Sequence, residues 1–276
     1  MSIDVKLRRY VLLYHLVWAP WLFAMRTVTL SPQATELVTQ LGKRADIVAG
    51  SNISIPGSPP LNDIGPLFMP SIERMVRYAP DWVISDSFFT APTFLQGVAA
   101  LRVNTLQLEI SDLSSLISES RRILNSIYGS PDNIEIDRAT DCLGKLPKKS
   151  AAFRYLAFAW LDPPILFGAN AFMSDMFQKI GGKAPELPQI TSPYPQVSVE
   201  WLLGKELDVV FYLEEGGQPQ RAGVEKLVRH WWPNRPPKVI ALSSEKFSKA
   251  TFTPLRHWAE IYPEQNFIAP EICGKL

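Results

Sequence analysis

PSIERMVRYAPDWVI, residues 70–84, returns later in the chain as QVSVEWLLGKELDVVF, residues 196–211. In each stretch Ser is followed by Ile or Val and then by Glu, at Glu73 and Glu200. An apolar pair comes shortly after that Glu, and an Asp, Asp81 or Asp208, opens an apolar run eight residues beyond it. The Ser stands where a helix N-cap belongs. The Glu falls in the first turn, where free N–H groups and the macrodipole favour a carboxylate by about 0.3–1 kcal/mol. Ile72, Met75, Val76 and Ala79, then Val199, Leu202 and Leu203, form the predicted inward faces. Each copy therefore reads as helix, turn and core strand, written twice. Taken from the residues alone, both glutamates are helix-terminus stabilisers.

Around the two copies, strand-like runs alternate with helical periodicity. The runs are RTVTL (26–30), DIVAG (46–50), DWVIS (81–85), NTLQL (104–108), FRYLAFAW (153–160), LDVVFYL (207–213) and KVIALSS (238–244). Several are nearly continuous apolar, as strands covered on both faces are. Helical stripes lie at 34–41, 173–180, 224–231 and 255–262, and Ser31–Pro32 and Thr253–Pro254 predict caps ahead of a first-turn proline. The fold class is α/β, with two Rossmann-like lobes built on central, mostly parallel sheets. SDLSSLISESRRILNSIYG and a second stretch capped by SPDN predict a helical connection between the lobes rather than a flexible tether. The predicted organisation is a signal peptide over 1–24, an N-terminal lobe over 25–112, a rigid helical connection over 113–150 and a C-terminal lobe over 151–276.

The 28 Lys and Arg balance 27 Asp and Glu and are scattered, which gives no electrostatic footprint for nucleic acid. Lys6, Arg8 and Arg9 precede an apolar block over 10–23 that ends at Ala24, the layout of a secretory signal. Export would place Cys142 and Cys273 in a disulfide-permissive compartment, but sequence leaves open whether they meet. No catalytic nucleophile elbow, phosphate loop, dinucleotide fingerprint or HExxH occurs, and His230 and His257 stand beside tryptophans on predicted helices. The chain is therefore not read as an enzyme, and no resident cofactor or metal is expected.

VTLSPQATELVTQLG, PSIERMVRYAPDWVI, FAWLDPPILFGANAFMSDMFQKIGG, YPQVSVEWLL and LSSEKFSKATFTPLRHWAEI follow one another in order. Together they resemble the substrate-binding proteins of ABC importers for cobalamin, haem and iron–siderophores, over nearly all of residues 26–270. The wording is most similar to that of the cobalamin binders. The resemblance implies two lobes joined by a long helix, a monomer in the periplasm and a ligand held in the cleft between lobes. It also implies that the repeated glutamates, Glu73 and Glu200, meet arginines on the two subunits of a permease dimer. The ligand-binding positions it implies are Ile53, Phe68, Ser87, Phe88, Trp160, Tyr194, Glu245, Phe247 and Lys249. Aromatic faces with a few polar edge groups suit a flat corrin or porphyrin. The implied ligand is a cobalamin-like corrinoid; haem or a ferric siderophore is the alternative, with Tyr194 as the candidate axial ligand. The N-lobe loops lack the tryptophans of some cobalamin binders. Ile180 stands where some relatives carry a disulfide cysteine, so a Cys142–Cys273 pairing is not inherited from the family.

Overall fold

The computed structural model describes residues 25–51, 60–88, 92–146, 152–187, 192–214, 221–261 and 273. The expected signal segment and Ile53 lie outside the described residues. Two sheets organise the rest. The first runs β2 (Ile47–Gly50), β1 (Thr27–Thr29), β3 (Trp82–Asp86), β4 (Asn104–Leu108), and every pairing is parallel. The second contains β5 (Phe153–Leu161), β6 (Pro164–Leu166), β7 (Gly182–Lys183), β8 (Val209–Glu214) and β9 (Lys238–Ser243). Its order is β6-β5-β8-β9, β7 pairs the start of β5, and only the β5–β6 pairing is antiparallel. All seven runs read from the sequence are strands. β6 and β7, of three and two residues, are too short for periodicity to mark.

Helices cross between the strands: α1 (Pro32–Gln40), α2 (Ile72–Val76), α3 (Pro92–Ala100), α4 (Leu113–Tyr128), α5 (Ile134–Gly144), α6 (Phe172–Lys179), α7 (Val199–Leu203), α8 (Arg221–Trp231), α9 (Ser244–Phe247) and α10 (Thr253–Arg256). α1 starts as its sequence dictates, with the Ser31 hydroxyl accepting the Ala34 N–H at 3.0 Å and Pro32 in the first turn. α4 is the long connecting helix. Its 16 residues span about 24 Å at 1.5 Å per residue. Asp112 and Ser115 cap it reciprocally, and Gly129, at φ 70°, ends it in the left-handed conformation that favours glycine.

The run at 255–262 departs from expectation. α10 stops at Arg256, and Trp258–Glu260 is a 3-10 turn. Leu255, Trp258 and Ile261 are all buried, and three residues per turn brings that spacing onto one side. Thr253 does not cap the helix either; the N-cap is Phe252. The Thr253 hydroxyl is spent on α1 instead, where it donates to Glu36 and accepts from Gln40 Nε2 at 2.7 Å.

That contact belongs to a latch between the two halves. Thr251 Oγ1 donates to Glu36 Oε1 at 2.9 Å, and Lys249 pairs with Glu36 Oε2. Gln33 accepts the Ala250 N–H at 3.2 Å, and Gln40 accepts the Phe252 N–H at 3.0 Å. The connection is welded into the same region: Asp175 of α6 accepts the Leu113 N–H at 3.0 Å, and Arg256 donates to Glu135 of α5 at 2.8 Å. One hydrophobic core runs from Leu37 and Ile84 through Leu116, Ile123 and Ile136 to Phe211, Leu255 and Trp258. Smaller cores cover the far faces of each sheet. The connection is thus a packed part of that shared core, not a bare spacer holding two lobes apart. Cys142 of α5 and Cys273 form a disulfide, with Cα atoms 5.0 Å apart.

Glu36 is the least replaceable member of the latch, because removing it strands Lys249 without its partner. Glu36→Ala is expected to lower unfolding free energy by about 2–4 kcal/mol. A Glu36→Leu, Lys249→Met double variant should recover most of that loss in urea denaturation.

Candidate functional site

Parallel strands leave their ligand-facing loops at their carboxyl ends. A cavity of about 520 Å³ lies there, between the two halves. Gln33, Asp86, Ser87, Phe88, Glu109, Ile110 and Ser111 line it from the first half. Phe167, Asn170, Phe172, Met173, Tyr194, Phe247 and Lys249 line it from the second. A further hollow of about 680 Å³ shares Phe167 but is lined by the second half alone.

Of the positions expected to contact a ligand, Ser87, Phe88, Tyr194, Phe247 and Lys249 come together in this cavity. Phe88 and Tyr194 meet across the gap, edge to face, at 5.1 Å between ring centroids, and Phe167 stands 5.9 Å from Tyr194. Phe88 is 51% exposed, so its ring is available to a ligand, whereas Phe247 is 1% exposed and serves the core as well as the wall. Phe68, Trp160 and Glu245 do not line the cavity. Phe68 is 65% exposed in the loop ahead of α2. The Trp160 indole N–H donates to the Asp162 carbonyl at 2.8 Å at the β5–β6 turn, and Glu245 lies in the first turn of α9.

The sequence reading missed Asp86, Glu109, Phe167, Asn170 and Phe172. Asp86 closes β3 and Glu109 follows β4, so the end-of-strand rule could have found both. Phe167 and Asn170 sit in LFGANAF, after a strand too short to recognise. Asp86 is only 6% exposed. Its Oδ1 accepts the Phe88 N–H at 2.9 Å, and burial pushes its carboxyl above the usual aspartate range. Burial, and then the Asp86 charge, push the Tyr194 phenol up to about 12. Among the described residues Lys249 is the only lysine or arginine lining the cavity, and it is already paired with Glu36.

The repeated motif resolves into two carboxylates with different duties. Asp81 and Asp208 are clamps. The Arg26 N–H donates to Asp81 Oδ2 at 2.9 Å and the Arg154 N–H to Asp208 Oδ2 at 2.8 Å. Each Asp N–H returns a bond to the same arginine's carbonyl, and each Asp carbonyl accepts from the head of the next strand, Asn104 or Lys238. Each Asp thereby pins the start of three strands. Glu73 and Glu200 pin nothing. Both are exposed in the first turn of a five-residue helix, behind Ser71 and Ser198, whose hydroxyls accept the Arg74 and Trp201 N–H groups at 3.2 and 3.3 Å. Each carboxyl is held below its ordinary range by its own backbone N–H and then by the neighbouring serine hydroxyl. The expected inward faces are only partly inward: Met75 and Leu202 are buried, while Val76, Val199 and Leu203 stand exposed beside the glutamates. Five residues make too short a helix to turn every apolar side chain toward the core.

Solved structures share this arrangement. The periplasmic vitamin B12-binding protein of Vibrio cholerae superposes with a TM-score of 0.69 at 20% identity, over 91% of this chain and 98% of that one. The periplasmic haem-binding protein of the same organism gives 0.70 at 18%, over 90% and 100%. The periplasmic haem-binding protein of Roseiflexus sp. RS-1 gives 0.67 at 18%, over 90% and 99%. The fold is that of the periplasmic binding proteins. No family model and no curated protein matches the chain. Among the described residues no helix is long and apolar enough to cross a membrane.

Asp86 makes a pH-dependent prediction. A carboxyl raised by folding is disfavoured in its charged form, so its contribution is whole below the ordinary aspartate range and is lost as pH rises through its raised value. Asp86→Asn escapes that loss. Its thermal midpoint is expected to exceed the parent's by about 2–4 °C at neutral pH and to match it in acid below the aspartate range.

Proposed function

We propose that this chain is a periplasmic receptor that captures a corrinoid, of cobalamin type, and delivers it to an ABC importer. The observation that carries the reading is the cavity: aromatic walls from both halves, at strand ends, with no unpaired cation among the described residues of its lining. A corrin offers a broad apolar ring with neutral amide edges, which such walls suit. Ferric siderophores and haem carry anionic groups and would call for a free Lys or Arg. Lys249 is committed to Glu36.

Haem is the second reading, because Tyr194 lines the cavity and could offer its phenol oxygen as an axial ligand. A phenol held near 12 beside the Asp86 carboxylate resists becoming the tyrosinate that ferric iron binds. That favours the corrinoid. The basic and apolar start of the chain and the Cys142–Cys273 disulfide support export to an oxidising compartment. Glu73 and Glu200, charged at neutral pH, exposed and flanked by exposed apolar side chains, suit docking on the two halves of a permease dimer. Such rim charges set orientation and encounter rate more than affinity.

Calorimetric titration of the exported chain with cyanocobalamin, hemin and ferric siderophores tests the ligand. Cyanocobalamin should bind most tightly, and a clear preference for hemin or a siderophore would overturn the corrinoid assignment. Glu73→Ala combined with Glu200→Ala should leave ligand affinity within about twofold while cutting importer-dependent uptake about tenfold or more. A loss of ligand binding in that variant would contradict the docking role.

A further inference from the structure

The charges around the cavity are unbalanced in a way that the aromatic walls do not explain. Asp86 and Glu109 face it from the first half, and Lys249, the single cation among the described lining residues, is cancelled by Glu36. Asp86 is the telling member, because it is almost wholly buried yet no cation among the described residues pairs with it. Oδ1 takes the Phe88 N–H, and no described group donates to Oδ2. Oδ2 is not among the enclosed, unsatisfied oxygens, so it opens on the cavity, where a ligand donor can take the place of water. Glu109 differs: it is exposed, and salt screens it.

We infer that Asp86 sets the selectivity of this cleft, its free oxygen accepting an amide N–H from the ligand's edge and repelling a ligand carboxylate placed there. The inference rests on the corrinoid reading and adds what that reading lacks: a residue that distinguishes amide-fringed rings from acid-fringed ones. An amide donor would satisfy Oδ2 without adding charge. A carboxylate at the same place would set two like charges a few ångströms apart in a partly dry site, which is worth more than a factor of ten in affinity.

The decisive probes are cyanocobalamin and its monocarboxylic derivatives, each with one propionamide hydrolysed to the acid, so that ring and metal stay constant. The exported chain should bind at least one monocarboxylate about tenfold or more weakly than cyanocobalamin. Asp86→Asn should shrink that gap to about threefold or less, and Asp86→Ser should do the same without supplying an amide of its own. Glu109→Gln should leave the gap largely intact, because its charge is screened. Circular dichroism establishes that each variant is folded. Equal affinities for all the corrinoids in the parent chain, or an undiminished gap in both Asp86 variants, would overturn the inference while leaving the corrinoid reading in place. Failure of cyanocobalamin itself to bind would overturn both.

Discussion

Glu36 lies on the first helix of one half, yet its hydrogen bonds run to Lys249, Thr251 and Thr253 of the other. Around it, Gln33 and Gln40 bind backbone N–H groups of the same segment. Gln40 Nε2 also donates to Glu36, at 3.1 Å, and a buried carboxylate satisfied by four residues tolerates little displacement of any of them. The two sheets are therefore held in register at the wall of the cleft itself, and Lys249 and Gln33 belong both to the latch and to the cavity lining. The shared core beneath, which includes α4 and α5, resists hinge opening from the other side. A cleft so bounded is largely preformed, and a preformed site loses less free energy to ordering when a ligand enters.

The same economy of parts marks the repeated unit. One structural grammar occurs in both halves: a serine cap, an exposed glutamate and an aspartate that stitches strand heads together. The aspartates explain themselves by their hydrogen bonds, and Arg154 adds its guanidinium to Asp208 whereas Arg26 turns its own to the Tyr78 carbonyl. The glutamates have no such internal account. Both stay charged and exposed, at equivalent places and beside exposed apolar residues.

Much of the fold was legible because parallel strands announce themselves. Runs such as LDVVFYL are apolar on both faces, and caps such as Ser31–Pro32 fix helix starts locally. The motif pairing located the two tips for the same reason, since each is written within a dozen residues. What stayed hidden is long-range. Nothing in FSKATFT says that its lysine and threonines seek a glutamate more than two hundred residues earlier, so Thr253 reads as a cap and Lys249 as a ligand contact alone. Asp86 is a lone acid after a strand, with no period to mark it. Trp160 precedes a turn, as a ligand-facing residue would, but the turn's own carbonyl takes its N–H.

The Cys142–Cys273 bond joins positions 131 residues apart and so turns the entire second half into a closed covalent ring. A protease that nicks an exposed loop inside that ring cannot release a fragment; both pieces stay attached through sulfur. A single cut there becomes a survivable wound, and the cleft wall that hangs from the ring stays in place.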